Sequence, residues 1–105
     1  SKNVNTFFKK KLKFASTSLM GLLKLGNIDN KKIYKEKISF YKNEMSQITS
    51  LIPVVQLSGE EEKLLDRFDR DLSMLENQYV VWKKNRGQKF KIGGKKFIDG
   101  IKSIF

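Results

Sequence analysis

The sequence predicts an all-α domain, an up-down bundle of three long helices followed by a short C-terminal amphipathic helix. Three observations carry this reading. Apolar residues recur at alternating three- and four-residue steps in three separate stretches, which holds each set on one stripe of a helix. Gly26, with the turn residues after it, and Pro53, the only proline, separate the stretches. Ser58 followed three residues later by Glu61 marks a fresh helix start.

The first stripe is Phe8, Leu12, Ala15, Leu19 and Leu22, in a helix expected from about Asn5 to Leu25 within residues 1–26. Gly26 is suited to the left-handed conformation that closes a helix. Asn27-Ile28-Asp29-Asn30 supplies turn residues and a cap for the second helix, expected over 29–52. Its stripe is Tyr34, Ile38, Tyr41, Met45, Ile48 and Ile52, and Pro53 stops it because proline has no amide hydrogen and disfavours helical geometry in the residue before it. Val54-Val55-Gln56-Leu57 is apolar enough for a strand but has no partner to pair with, so it reads as a packed loop.

The third helix is expected over 58–86, with the stripe Leu65, Phe68, Leu72, Leu75, Tyr79 and Trp82. Glu60, Glu61 and Glu62 sit in its first turn and Lys83, Lys84 and Arg86 in its last, as the helix dipole favours, and Gly87 is expected to end it. After Gln88–Ile92, Gly93 and Gly94 form a hinge or turn. A helix over 95–105 would gather Phe97, Ile98, Ile101, Ile104 and Phe105 on one arc, with Lys95, Asp99 and Lys102 outside it.

At 105 residues the chain reads as one domain, able to bury about two-thirds of its unfolded surface without a staple. The absence of cysteine removes disulfides, thiolate chemistry and cysteine-ligated metal, and the absence of histidine removes the commonest general base and metal ligand. The acidic residues from Glu60 to Asp71 crowd a helix start without the alternating oxygen ligands and central glycine of a calcium loop. No enzyme, metal or cofactor is therefore expected, and no small-molecule substrate. The glycines at 87, 93 and 94 follow no strand and lack the Gly-Lys-Ser/Thr ending of a phosphate loop.

Phe14–Leu25 is too short and too interrupted to span a membrane, and no small-residue cleavage site follows it. The expected compartment is intracellular, cytoplasmic or nucleoid-associated, with attachment to a membrane periphery as the alternative. Beginning at Ser1 rather than Met, the chain is expected to be a processed chain, an excised domain or one that keeps a tag remnant.

Charge is unevenly spread. Residues 1–57 carry 11 basic and 3 acidic side chains, 58–76 carry 3 and 7, and 77–105 carry 8 and 1. In an antiparallel bundle this concentrates positive charge at one end, around residues 82–96, joined by Lys9–Lys13 or Lys31–Lys37. Nineteen lysines against three arginines favour backbone contact over base reading, because lysine is a point charge and arginine the bidentate reader.

The leading expectation is a binding module that takes up nucleic-acid backbone through Lys83, Lys84, Arg86, Lys89, Lys91, Lys95 and Lys96. Trp82 and Phe90 are stacking or packing anchors, packing being favoured for Trp82 by its register with Leu75 and Tyr79. One alternative is a peripheral module on anionic lipid or a membrane-protein partner, acting through the tail apolar arc and helix 1. Another is an assembly or adaptor protein whose stripes pair between chains, as in a homodimer. In size and composition the chain resembles small basic helical bundles among phage, plasmid and bacteriocin-immunity proteins, a likeness without a shared motif.

Overall fold

A computed structural model of the chain describes the backbone of residues 2–92 and the side chains of residues 3–86. Over this range the protein is all-α: α1 is Lys2–Leu25, α2 is Lys31–Leu51 and α3 is Gly59–Ile92. A single 3₁₀ turn, Ile52–Val54, follows α2, and no strand occurs among the described residues. The expected helix over 95–105, with Lys95, Lys96, Phe97, Ile98, Ile101, Ile104 and Phe105, lies outside them.

Each boundary has a local cause. Gly26 takes φ 54° and its N–H donates to the Leu22 carbonyl at 3.3 Å, closing α1. Asn30 is extended, and its side chain accepts from the Ile33 N–H at 3.1 Å, capping α2. Pro53 sits inside the 3₁₀ turn that ends α2. At α3 the Ser58 N–H donates to Glu61 Oε1 at 2.9 Å while the Glu61 N–H donates to Ser58 Oγ at 3.3 Å, a closed capping box.

Two expected limits are corrected. α3 does not stop at Gly87 but runs to Ile92, taking in Gln88–Ile92, which the sequence pattern assigns to a tail. An interior glycine costs a helix only about 1 kcal/mol relative to alanine. Between Arg86 and Gln88, both good helix formers, that cost is absorbed and the helix continues. At the other end of the chain α1 starts at Lys2 rather than near Asn5.

Contacts far apart in sequence fix the topology. Near the start of α1, Asn5 Oδ1 accepts from the Gln56 N–H at 3.1 Å, and Lys9 pairs with Glu61 at 3.7 Å. At the far end of α1, Asp29 meets Trp82 and Arg86. α1 and α3 therefore run parallel, with α2 antiparallel to both.

All three stripes turn inward. Phe8, Leu12, Ala15, Leu19, Tyr34, Tyr41, Ile48, Phe68, Leu72 and Leu75 form the core, and Leu22, Ile38, Met45, Ile52, Leu65, Tyr79 and Trp82 pack against it. Fully burying a side chain such as Phe68 or Leu12 contributes about 1.5–3 kcal/mol, so these contacts dominate the stability. Three polar residues go in with them. Ser16 donates to the Lys13 carbonyl at 3.2 Å, Glu44 pairs with Lys11, and Glu61 closes the capping box.

Candidate functional site

The up-down-up path brings the start of α2 against the C-terminal part of α3. Because Asn30 is the cap, Lys31 and Lys32 fall in the first turn of α2 and Lys35 just beyond, with no acidic residue in that turn. Lys24, in the last turn of α1, ends at the same level. Lys83 and Arg86 stand on the facing stretch of α3 with Lys84 on its outer side, and every one of these seven cations is exposed. The acidic start of α3 lies at the other end of the molecule, beside the beginning of α1.

Beneath the cations lies an aromatic platform. Tyr34 stacks on Tyr79 with centroids 5.2 Å apart, and the Trp82 ring is 5.4 Å from Tyr34 and 6.1 Å from Tyr79. The Lys83 ammonium sits 4.3 Å from the centre of the Tyr79 ring and the Arg86 guanidinium 4.9 Å from that of Trp82, both in cation–π range. Asp29 ties the platform to the α1–α2 turn, accepting from Trp82 Nε1 at 2.8 Å and from Arg86 at 3.3 Å. Burial pushes the Tyr34 hydroxyl above its ordinary pKa, and the Asp29 charge adds to the effect, so Tyr34 stays neutral.

Asp29, Asn30, Lys31, Trp82, Lys83 and Arg86 line a shallow open cleft of about 360 Å³ at this end. Its rim offers ammonium and guanidinium donors, and its floor is an aromatic edge already held by Asp29. Its lining carries three cationic groups, Lys31, Lys83 and Arg86, against the one carboxylate of Asp29.

Of the site residues expected from sequence, Lys83 and Arg86 line one cleft with Lys31, while Lys84 is exposed on the outer side of α3, outside that lining. Lys9–Lys13 do not join them, since Lys9 reaches Glu61 and Lys11 reaches Glu44 nearer the opposite end. Trp82 is half-buried with its indole N–H and ring both engaged, which makes it a packing anchor. Lys89, Phe90 and Lys91 lie on the last turns of α3, placed by their backbone alone.

Asp29 is the residue of this basic end that sequence reasoning missed. It looks like an ordinary turn aspartate, and its partners are 53 and 57 residues away, so no local pattern reveals it. Among the described residues no group of three or more acidic side chains is arranged to hold a metal ion, and no helix is long and apolar enough to cross a membrane. No family model, curated protein or solved structure matches the chain.

Proposed function

We propose that the chain is a non-enzymatic binding module whose basic end takes up the sugar-phosphate backbone of nucleic acid without reading bases. The observation that carries this is the meeting of α2's first turn with the basic stretch of α3. Lysines at a helix N-terminus oppose the positive end of the dipole, at a cost of roughly 0.3–1 kcal/mol each. Folding gains nothing from that placement, and a phosphate chain would neutralise both the dipole and the ammonium groups.

The contacts expected are of the positioning kind: Lys31, Lys32, Lys83 and Lys84 as mobile point charges, and Arg86, steadied by Asp29 and Trp82, as a fixed cation. Binding should therefore be sequence-tolerant and steeply dependent on salt.

The test is fluorescence anisotropy with labelled single- and double-stranded DNA and RNA across a salt series. The parent should bind all of them at low salt, with affinity falling linearly on a log–log plot. The triple variant Lys83→Gln, Lys84→Gln, Arg86→Gln should lower the slope by about 3, one unit per lost phosphate contact. No binding at low salt, or a slope unchanged in the variant, would overturn the reading.

A further inference from the structure

Among the described residues, nothing covers an apolar strip on the side of the α1–α2 pair that faces away from α3. Five of the most exposed large apolar side chains lie there: Phe7 at 54%, Phe14 at 60%, Leu25 at 70%, Ile33 at 43% and Phe40 at 44%. Their place follows from the seam itself. Lys11 pairs with Glu44 and the Ser18 hydroxyl with the Tyr41 hydroxyl across α1 and α2. Phe7, Phe14 and Leu25 stand three, four or seven residues from Lys11 and Ser18, so they rise beside the seam on α1. Phe40 packs edge-on against Tyr41, four residues before Glu44, and Ile33 is two turns earlier on the same edge of α2.

Cations frame this strip. Lys10 and Lys13 line the hollow beside Phe14, and Lys32 and Lys37 are exposed along α2. α1 contains no Asp or Glu in 24 residues. Exposed Glu36 sits between Ile33 and Phe40 on α2, one carboxylate against these four cations, while the exposed carboxylates Glu60, Glu62, Asp66 and Asp69 are on α3, the helix on the opposite side.

We propose that this face docks on an anionic lipid bilayer. α1 and α2 lie in the headgroup plane, with the phenylalanines entering the acyl boundary and the lysines at the lipid phosphates. Phe7 and Leu25 are 18 residues apart, about 27 Å along a helix, so the strip offers a length to lie along the surface. Charge decides among the occupants. Two copies meeting through this face would bring its lysines against one another, whereas an anionic surface satisfies them and leaves the carboxylates of α3 in water. A nucleic-acid strand would satisfy the lysines but gives Leu25 and Ile33 nothing to stack on.

The test is flotation of the full chain with vesicles of phosphatidylcholine alone and of phosphatidylcholine mixed with phosphatidylglycerol. Binding is expected on the mixed vesicles only. It should fall about tenfold in Phe7→Ser/Phe14→Ser, and by a similar factor in Lys10→Gln/Lys13→Gln. A Phe14→Trp variant should show emission moving to the blue on the mixed vesicles, which reports the position of that side chain directly. Thermal unfolding of Lys10→Gln/Lys13→Gln and of Phe14→Trp should match the parent, and the phenylalanine pair variant, which also uncovers Lys11, should keep the parent's helical circular dichroism at the flotation temperature. Failure of the parent to float, equal flotation with phosphatidylcholine alone, or undiminished binding of the phenylalanine pair variant would overturn the proposal. So would a parent dimer that the pair variant dissociates, which would assign the face to a second copy. A nucleic-acid affinity lost in the phenylalanine pair variant would assign it to that ligand instead.

Discussion

Lys11 and Glu44 face each other across the α1–α2 seam, Nζ to Oε2 3.1 Å and Nζ to Oε1 3.3 Å, with the side chains 16% and 10% exposed. The pair stands between the core and the apolar outer strip, so each charge has lost most of its water. Its value to the fold lies less in net attraction than in the penalty for leaving either charge alone.

Lys11→Met should therefore destabilise the chain by about 2 kcal/mol, because Glu44 is left largely buried without its partner. The double variant Lys11→Met/Glu44→Leu should recover most of that loss, since apolar groups of similar size replace a desolvated pair. Urea unfolding midpoints of the two singles and the double supply the cycle. A double variant as unstable as the sum of the singles would show that the two side chains act independently.

Asp29 and Trp82 give a second prediction. Asp29→Ala removes the acceptor for the indole N–H and for Arg86 together, freeing both from the α1–α2 turn. Stability should drop by less than about 1 kcal/mol, because the Asp29 carboxylate is largely exposed and water takes its place. Trp82 is the only tryptophan, so its emission reads the change without interference and should shift to longer wavelength. An unshifted spectrum would mean that the ring contacts with Tyr34 and Tyr79 hold Trp82 unaided.

The capping box makes stability depend on acid. The Ser58 N–H donated to the Glu61 carboxylate holds its pKa below the ordinary 4.5 against the opposing effect of burial, and Lys9 lowers it further. A carboxylate depressed in the folded state contributes stability that is present above the unfolded value and is lost as pH falls through the folded one. The parent should lose urea resistance below about pH 4.5, and Glu61→Gln, which keeps an acceptor but has no charge, should lose less. The gap between the two midpoints should close on acidification. A gap that stays constant with pH would remove the charge from the explanation.

Hydrophobic spacing made the core legible. Every residue of the three stripes, from Phe8 through Tyr34 to Trp82, is buried in the core or packed against it, because a period near 3.5 leaves one solution for a short chain with no other apolar face as regular. Asn30, Pro53 and the Ser58–Glu61 box set boundaries through interactions within a few residues, which sequence can register. Gly87 misled because a glycine is a stop only where the backbone turns left-handed, and its neighbours Arg86 and Gln88 both favour continuing the helix. Glu44 was readable in principle. It is three residues after Tyr41 and four before Ile48, a core register, and Lys11 is likewise three after Phe8 and four before Ala15. Asp29, with partners more than fifty residues away, left no such trace. The outer strip was legible in part: helix 1 is read as one arm of a lipid-facing alternative, but Ile33 and Phe40 join Phe7 and Phe14 only through the pairing of α1 with α2, which no local pattern encodes.

Two glycines near the end of α1 should respond in opposite directions to the same change. Gly26 holds φ 54°, and a Cβ there would meet only the Leu23 carbonyl oxygen, at 3.7 Å. Gly26→Ala should therefore cost about 1–2 kcal/mol, from the left-handed backbone and not from a clash. Gly21 lies inside α1 on its exposed side, with nothing within 4 Å of an added Cβ. Gly21→Ala should stabilise by about 0.5–1 kcal/mol, since alanine loses less backbone entropy than glycine in a helix interior. Thermal melts of the two single variants check the sign of each, and circular dichroism should show helix content held or raised by the second and lowered by the first. Equal effects at both positions would mean that α1 does not end at Gly26, and with it the turn that places Asp29 against Trp82 would lose its footing.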